Sequence, residues 1–395
     1  MKHMAIIVKK FGGTSVGSTD LIRNIAHKIA AEYRAGDALV LVVSAMAKTT
    51  DRLSGLAYDI SQHPSRREMD MLLTAGERIS MSLLSLALIE EGVACISFTG
   101  SQSGIITDDK HGNASILKVN AFRIHEELAK GKVVIVAGFQ GVSAAKEITT
   151  LGRGGSDTSA VALACYLEAD KCEIYTDVDG VYTADPRIVK HPKLLREVSS
   201  ELMLSLCYNG SKVLHPRAVE FACKYGVQVE VKSSFTFAPG SLMTSEKNSL
   251  YKDKKMEERI VTAIAHKDKL LCYRLPYTDG VQSLLKGWQH EVYKYALDKG
   301  VLELFVEAKY ETEIDYVLKT NRLENVAKEA DLCFVNLIGM GLGYDAAFMA
   351  ECLQLCAPYG VLRCINTERS VELLLPSQYL ETAVSALHKA FIEDK

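Results

Sequence analysis

Six consecutive apolar residues, Ala38-Leu39-Val40-Leu41-Val42-Val43, lie between two amphipathic stretches with helical spacing. The arrangement recurs through about Lys232, with apolar segments at 5–11, 38–44, 94–99, 133–139, 172–177 and 227–232. Helical patterns fill the gaps at 20–34, 70–91, 115–130, 156–168, 199–208 and 216–225. A strand apolar on both sides is buried on both faces, which an antiparallel sheet with one wet face does not require. The alternation therefore predicts an α/β three-layer sandwich with a mostly parallel sheet. In such sheets ligands bind at the carboxyl ends of the strands, so the loops after them are where chemistry is expected.

The chain has 395 residues, more than one ordinary domain holds. The polar stretch Ser245 to Arg259 reads as a linker after Phe237-Ala238-Pro239-Gly240. Beyond it two segments read as strand, helix, strand, strand, which is the only hint of an internal repeat. The clearer one runs through a strand to Ile338, a glycine turn at 339–343, a helix at 345–357, strands near 361–365 and 370–375, and a helix at 378–391. The other, from Val261, is blurred by charged and aromatic residues.

A net charge of −3 without a basic block gives nucleic acid no footprint. No apolar run is expected to reach the roughly 18–20 residues that span a bilayer. Met4–Val8 is too short for the apolar core of a signal peptide and reads as a strand. The 10 cysteines are scattered without C-x-x-C pairs, as expected of reduced thiols in a cytoplasmic protein. Cys352 and Cys356 stand one helical turn apart, but a zinc site needs four ligands and no partners are in view.

The first strand runs into Lys10-Phe11-Gly12-Gly13-Thr14-Ser15 and then a helix. Glycines let backbone N–H groups approach a phosphate, the helix N-terminus favours negative charge, and Lys10 adds a cation. A simple turn has the same appearance, and no Walker A string occurs in the chain. The strongest local signal is Thr149-Thr150-Leu151-Gly152-Arg153-Gly154-Gly155-Ser156-Asp157, which enters an alanine-rich helix. Arg153 can grip a carboxylate through two parallel hydrogen bonds, while Ser156 or Asp157 could simply be an N-cap. A third loop, Thr176-Asp177-Val178-Asp179-Gly180-Val181-Tyr182-Thr183-Ala184-Asp185-Pro186-Arg187, offers a flat ring, a cation and main-chain groups to a nucleotide. It is otherwise an Asp/Gly-rich turn, and its spacing does not fit an EF-hand.

Glu77 sits inside an apolar helix and needs a partner, either Arg78 or another basic group, or the ammonium of a substrate. Thr49-Thr50-Asp51 is a helix cap or a substrate contact. Lys212 is solvated or faces phosphate, and His215 before Pro216 reads as structural. Gly339-Met340-Gly341-Leu342-Gly343 misses the dinucleotide fingerprint.

These motifs, with Val43-Ser44-Ala45-Met46, Gly76-Glu77-Arg78, Thr99-Gly100-Ser101-Gln102, His111-Gly112-Asn113-Ala114 and Ala137-Gly138-Phe139-Gln140-Gly141, resemble the aspartokinase family of the amino acid kinase superfamily. The resemblance covers about 1–245 nearly continuously. It implies an amino acid kinase catalytic domain at 1–245 and a regulatory region at 256–395, an α+β pair of ACT-like domains at about 258–330 and 331–391. The implied reaction is ATP plus L-aspartate giving 4-phospho-L-aspartate and ADP, with Mg2+, at the head of lysine, threonine and methionine synthesis. Lys10 and Asp157 would be catalytic. Lys10, Phe11, Gly12, Gly13, Thr176, Asp177, Tyr182, Asp185, Arg187 and Lys212 would bind ATP. Ser44, Thr50, Glu77, Arg153, Gly154, Gly155 and Ser156 would bind aspartate, Glu77 meeting its ammonium and Arg153 its α-carboxylate. No protein-held metal is implied.

The family's Asp-Lys-Pro-Gly turn is altered around Leu275-Pro276-Tyr277-Thr278-Asp279-Gly280, and Ile365-Asn366-Thr367-Glu368-Arg369-Ser370 replaces a serine-rich strand. Lys232 stands where arginine is commoner. An effector would be lysine sooner than threonine, and the resemblance implies a homodimer or higher homo-oligomer. Kinases of acetylglutamate or glutamate fit Glu77 and Arg153 less well. A non-catalytic amino-acid sensor would be favoured only if Lys10 or Asp157 were missing.

Overall fold

The computed structural model describes residues 5–244, 260–286, 292–323, 326–343 and 345–394. The expected linker at 245–259 lies outside them. Two compact units form: Met1–Val181 with Leu194–Cys207 and Lys212–Asp253, and Tyr182–Lys193 with Tyr208–Ser211 and Lys254–Lys395.

The first unit begins β1 (Ile6–Phe11), α1 (Thr19–Ala35), β2 (Ala38–Val43), α2 (Thr49–Ile60), α3 (Arg66–Leu73), α4 (Ala75–Glu90) and β3 (Cys95–Phe98). It continues through β4 (Ile105–Thr107), β5 (Ile116–Val119), α5 (Phe122–Ala129), β6 (Val133–Ala137), β7 (Gln140–Ser143), β8 (Ile148–Thr150), α6 (Gly155–Tyr166) and β9 (Lys171–Thr176). The remaining elements are β10 (Val181–Tyr182), β11 (Leu194–Leu195), β12 (Glu197–Ser199), α7 (Ser200–Tyr208), α8 (Pro216–Tyr225), β13 (Val229–Ser233) and β14 (Ser241–Thr244), the last residues of β10 and α7 counting with the second unit.

The main sheet has eight strands in the order β12-β14-β13-β9-β1-β2-β6-β3. Its pairings are parallel except β13 with β14. Every residue of β2 and β6 is buried, as their unbroken apolar runs require. α1 and α4 cover one face: Ile22, Ile25, Ala26, Ile29 and Ala30, one stripe at helical spacing, meet Leu39, Leu41, Ile135 and Leu84. α6 lies against β1, β2 and β9 and packs on α8. A second sheet, β5-β4-β7-β8, has four short strands.

Three expectations fail here. Residues 115–130 are not one helix, because Ile116–Val119 pairs antiparallel with β4 before α5 begins. The 70–91 helix is two, α3 and α4, jointed at Thr74, whose hydroxyl donates to Met71 O and whose carbonyl accepts from the Gln140 side chain. That 66–90 stretch is also long and apolar enough to cross a membrane by length and composition, contrary to expectation; here α4 packs on α1, β3 and β6.

Side-chain alternation along β1 sends its two lysines to opposite faces. Lys9 is 2% exposed and pairs with Glu173 and, at 2.7 Å, with Glu32 of α1. Lys171 and Lys232 also reach Glu173, at 2.8 and 3.2 Å. Burial alone would raise the Glu173 carboxyl, but the charge of Lys9 and its hydrogen bonds to the lysines hold it well below the usual carboxylate range. This accounts for Lys232 as the third cation on a buried carboxylate. Lys232→Met leaves Lys9 and Lys171 in place, so it is expected to lower stability by only about 1 kcal/mol in thermal melts without changing substrate KM.

The second unit repeats one pattern: β15 (Ile260–Pro276), α9 (Asp279–Lys286), β16 (Lys294–Asp298), β17 (Val301–Glu307), α10 (Glu311–Thr320), then β18 (Ala327–Met340), α11 (Ala346–Cys356), β19 (Arg363–Asn366), β20 (Ser370–Pro376), α12 (Leu380–His388). The blurred first segment thus has the same elements as the clear one. All six strands form one antiparallel sheet, β16-β17-β15-β18-β20-β19. Register shifts in β15 between Lys267 and Leu270 divide it: Ile264 joins the core of the second repeat, Leu271 that of the first. Lys294 opposes Phe305 as Arg363 opposes Leu374, so Lys294 and Arg363 are repeat-equivalent, as are Glu303 and Glu372. Each cation pairs with the other repeat's carboxylate, Lys294 with Glu372 at 2.6 Å and Arg363 with Glu303.

Candidate active site

The loops that follow β1, β2, β6 and β9 gather at the carboxyl edge of the main sheet. Gly12 N–H donates to Tyr175 O at 3.1 Å, Ser44 N–H to Phe11 O at 3.1 Å, and Gly138 N–H to Val43 O at 3.0 Å. The Gly12–Gly13 turn is closed by Ala47 N–H on Gly13 O at 2.9 Å. Lys10 leaves β1 on the α6 face, and its Nζ lies 2.6 Å from Asp157 Oδ1 in the first turn of α6. A cation, a carboxylate, a glycine turn and a helix N-terminus therefore share one place, an arrangement suited to a polyanion.

Glu77 enters from α4 and is 3% exposed. Its Oε1 accepts from Ala45 N–H at 3.1 Å, while Oε2 is buried without a partner. Burial pushes the carboxyl up to about 7, against the pull of the Ala45 N–H. Neither partner foreseen within the protein, Arg78 or another base, pairs with Oε2. A buried carboxylate oxygen left open is costly unless a hydrogen-bond donor or cation meets it.

The Arg153 loop is held from several sides. Leu151 N–H donates to Phe139 O at 2.9 Å, and Phe139 N–H to Ser159 Oγ at 3.1 Å. Arg217 donates to Leu151 O at 2.5 Å and to Ala114 O at 2.9 Å. Gly154 has φ +61, and a Cβ there would stand 2.1 Å from His215 Cβ. Gly154→Ala thus meets both a left-handed backbone and a neighbour; a loss of about 2–3 kcal/mol in stability and a higher aspartate KM are expected in melts and steady-state kinetics.

Of the expected residues, Lys10, Phe11, Gly12, Gly13, Ser44, Glu77, Ser156 and Asp157 lie on these strand ends and helix starts. Thr50 is in the first turn of α2, Thr176 ends β9 with its hydroxyl on Asp177 at 3.1 Å, and Lys212 is exposed ahead of α8. Tyr182, Asp185 and Arg187 are in the second unit, where Arg187 grips Asp185 with two bonds at 2.9 and 2.7 Å. Among the described residues no group of three or more His, Cys, Asp or Glu could hold a metal ion.

Sequence reasoning passed over Asp70 and Arg217. Asp70 stands seven residues before Glu77, and Arg217 is a cation in a helix's first turn, against the helix dipole. Either oddity could have flagged them.

The amino acid kinase family pattern matches residues 5–233. The chain is 42% identical to the aspartokinase of Bacillus sp. (strain MGA3), over 98% of this chain and 97% of that protein. It is 42% identical to aspartokinase 2 of Bacillus subtilis (strain 168), over 98% of each. The crystal structure of E. coli aspartokinase III with aspartate and ADP shares the fold, with a TM-score of 0.82 and 23% identity over 97% of this chain and 99% of that one. Aspartate kinase from Synechocystis is 34% identical, TM-score 0.57, over 98% of this chain and 69% of that one. By the match over residues 5–233 and by 42% identity along nearly its whole length, this chain belongs to the aspartokinases of the amino acid kinase family.

Proposed function

We propose that this chain transfers the γ-phosphoryl group of ATP to the side-chain carboxylate of L-aspartate, giving 4-phospho-L-aspartate and ADP. The observation that carries the reading is the pair of complementary devices on one sheet edge. Lys10 against Asp157 suits a phosphate chain, and the open, buried Glu77 Oε2 suits an ammonium.

A carboxylate is already a nucleophile at neutral pH, so no general base is needed. The difficulty is bringing two anions together, and the work of the site is positioning and charge neutralisation. Lys10 neutralises the transferring group over the Gly12–Gly13 turn, and Asp157 holds Lys10 in place. Glu77 takes the substrate ammonium and Arg153 the α-carboxylate, with Ser44, Thr50, Gly154, Gly155 and Ser156 around them. Phe11, Thr176, Asp177 and Lys212 line the nucleotide.

Mg2+ would arrive carried by the nucleotide's phosphates, and Asp157, which holds Lys10, would be the acid that positions the metal–phosphate cluster. The ion would spread the phosphate charge. All 10 cysteines are free, which suits work in the reducing cytoplasm. Catalysis is assigned to 1–245 and effector sensing to the paired modules of 256–395, with lysine favoured over threonine and the modules as the homo-oligomer contact. The product would feed lysine, threonine and methionine synthesis.

ADP release with ATP and Mg2+ tests this against L-aspartate, L-glutamate and N-acetylglutamate. Aspartate-dependent release supports it, and lysine or threonine added afterwards reads out the effector. Release with another acid and none with aspartate overturns the substrate assignment.

A further inference from the structure

Asp70 is fully buried, yet among the described residues no lysine or arginine pairs with its carboxylate. Its Oδ1 accepts from the Thr150 hydroxyl at 2.5 Å and from Gly112 N–H at 3.1 Å. Its Oδ2 accepts from the same N–H at 3.2 Å and lies 2.7 Å from His111 Nδ1. These partners come from two segments. Thr150 ends β8, three positions before Arg153. His111 and Gly112 begin the turn whose Ala114 N–H donates to Thr150 O at 2.8 Å, and Asn113 Oδ1 sits against Gly152. Asp70 therefore fastens the base of the Arg153 loop directly and through its supporting turn.

At its other end Asp70 belongs to the helical segment that carries Glu77. Thr74 N–H donates to Asp70 O at 3.2 Å, Arg78 N–H reaches Thr74 O at 3.4 Å, and Glu77 projects from that first turn of α4. The α4 backbone is fixed against the loop after β2, where a Cβ on Gly76 would fall 2.7 Å from Ala45 Cβ. One carboxylate thus ties the element bearing the ammonium receptor to the loop bearing the carboxylate receptor.

We propose that Asp70 is a positioning residue that sets the span between Glu77 and Arg153, and so selects an amino acid of aspartate's length over one a methylene longer. The inference rests on the aspartate kinase reading given above. The Asp70 side chain bonds Thr150, Gly112 and His111, and it acts through them. A span held by four hydrogen bonds to a buried carboxylate is stiff, because each unmade bond would leave a desolvated polar group. A span matched to aspartate misplaces one charged end of an acid a methylene longer, so a loosened span should show in the ratio of substrates first.

The test is kcat/KM for L-aspartate and L-glutamate in the full chain, with three variants. Asp70→Asn keeps the shape but replaces one acceptor oxygen by a donor; the aspartate KM should rise about 10-fold and the aspartate/glutamate ratio fall about 10-fold, with the ATP KM within two-fold. Thr150→Val removes only the hydroxyl and should move both quantities the same way by about 3-fold. Thr150→Ser restores the hydroxyl and should restore both. If Asp70→Asn does not fold, the two Thr150 variants decide. A purely structural role predicts lower melting temperatures and fewer active molecules with the ratio unchanged, and that result overturns the inference. Wild-type protein without aspartate turnover would overturn the functional reading and this inference together, whereas wild-type turnover with an unmoved ratio overturns this inference alone.

Discussion

Replacing Lys10 by alanine is expected to lower aspartate-dependent ADP release by about 10²-fold or more, as for loss of a preorganised charge in an active site. Lys10 sits on β1 between β2 and β9, which pins its backbone, and its side chain is largely buried. Its Nζ is 2.6 Å from Asp157 Oδ1 at the start of α6. The pair presents a cation whose position is set before the nucleotide arrives, which matters because the reaction's main obstacle is repulsion between a carboxylate and a triphosphate. The variant should retain a cooperative melt, since the core under β1 is made by other residues. Full turnover in a folded Lys10→Ala protein would remove Lys10 from the mechanism.

Glu77→Gln should lower kcat/KM for aspartate by roughly 10²-fold, the scale for removing the charge from one half of a buried ion pair. The amide keeps the size and can still accept from Ala45 N–H, so the loop after β2 stays placed. The ATP KM should change little. The raised pKa of Glu77 also makes a pH prediction. With the carboxyl near 7, the unliganded protein carries it largely protonated below that pH, and only the ionised form attracts an ammonium. Aspartate affinity should therefore rise with pH up to about 7 and then level, and Glu77→Gln should flatten the rise.

Stability carries the opposite sign. Because the folded-state pKa exceeds the ordinary value of 4.5, the folded chain binds more protons than the unfolded one between 4.5 and about 7. The contribution of Glu77 to stability accordingly falls as pH rises through that window. Saturating aspartate should offset the fall, visible as a larger ligand-induced rise in melting temperature at pH 8 than at pH 5.5. An equal rise at both would mean that the open Oε2 is not the ammonium receptor.

Much of this was legible because the relevant forces are local. An unbroken apolar run such as β2 has one stable environment, and Ser18 before α1 with Gly36 after it mark that helix's ends; the Ser18 hydroxyl accepts Leu21 N–H and Gly36 takes φ +100. The loop at 152–157 stands out because a cap alone does not need three glycines and an arginine, whereas Lys10-Phe11-Gly12-Gly13 by itself has the look of a simple turn. The misses depended on distant partners. α2 carries Leu53, Leu56, Ala57 and Ile60 at helical spacing, yet none of its residues is buried, and it was passed over. Residues 116–119 become a strand only because β4 is there to pair with. β15 serves two repeats because a register shift at one point lets its halves join different cores, which no periodicity reports. Asp70 was missed because its partners are 41 to 80 positions away.

The most direct measurement is the chemical form of the product. A phosphorylated carboxylate is an acyl phosphate, which hydroxylamine converts to a hydroxamate, whereas a phosphorylated hydroxyl or amine resists it. Incubation with ATP, Mg2+, L-aspartate and hydroxylamine should yield aspartate β-hydroxamate in step with ADP, and Lys10→Ala should abolish both together. ADP formed with aspartate but no hydroxamate, or hydroxamate formed equally from the Lys10→Ala protein, would contradict the account.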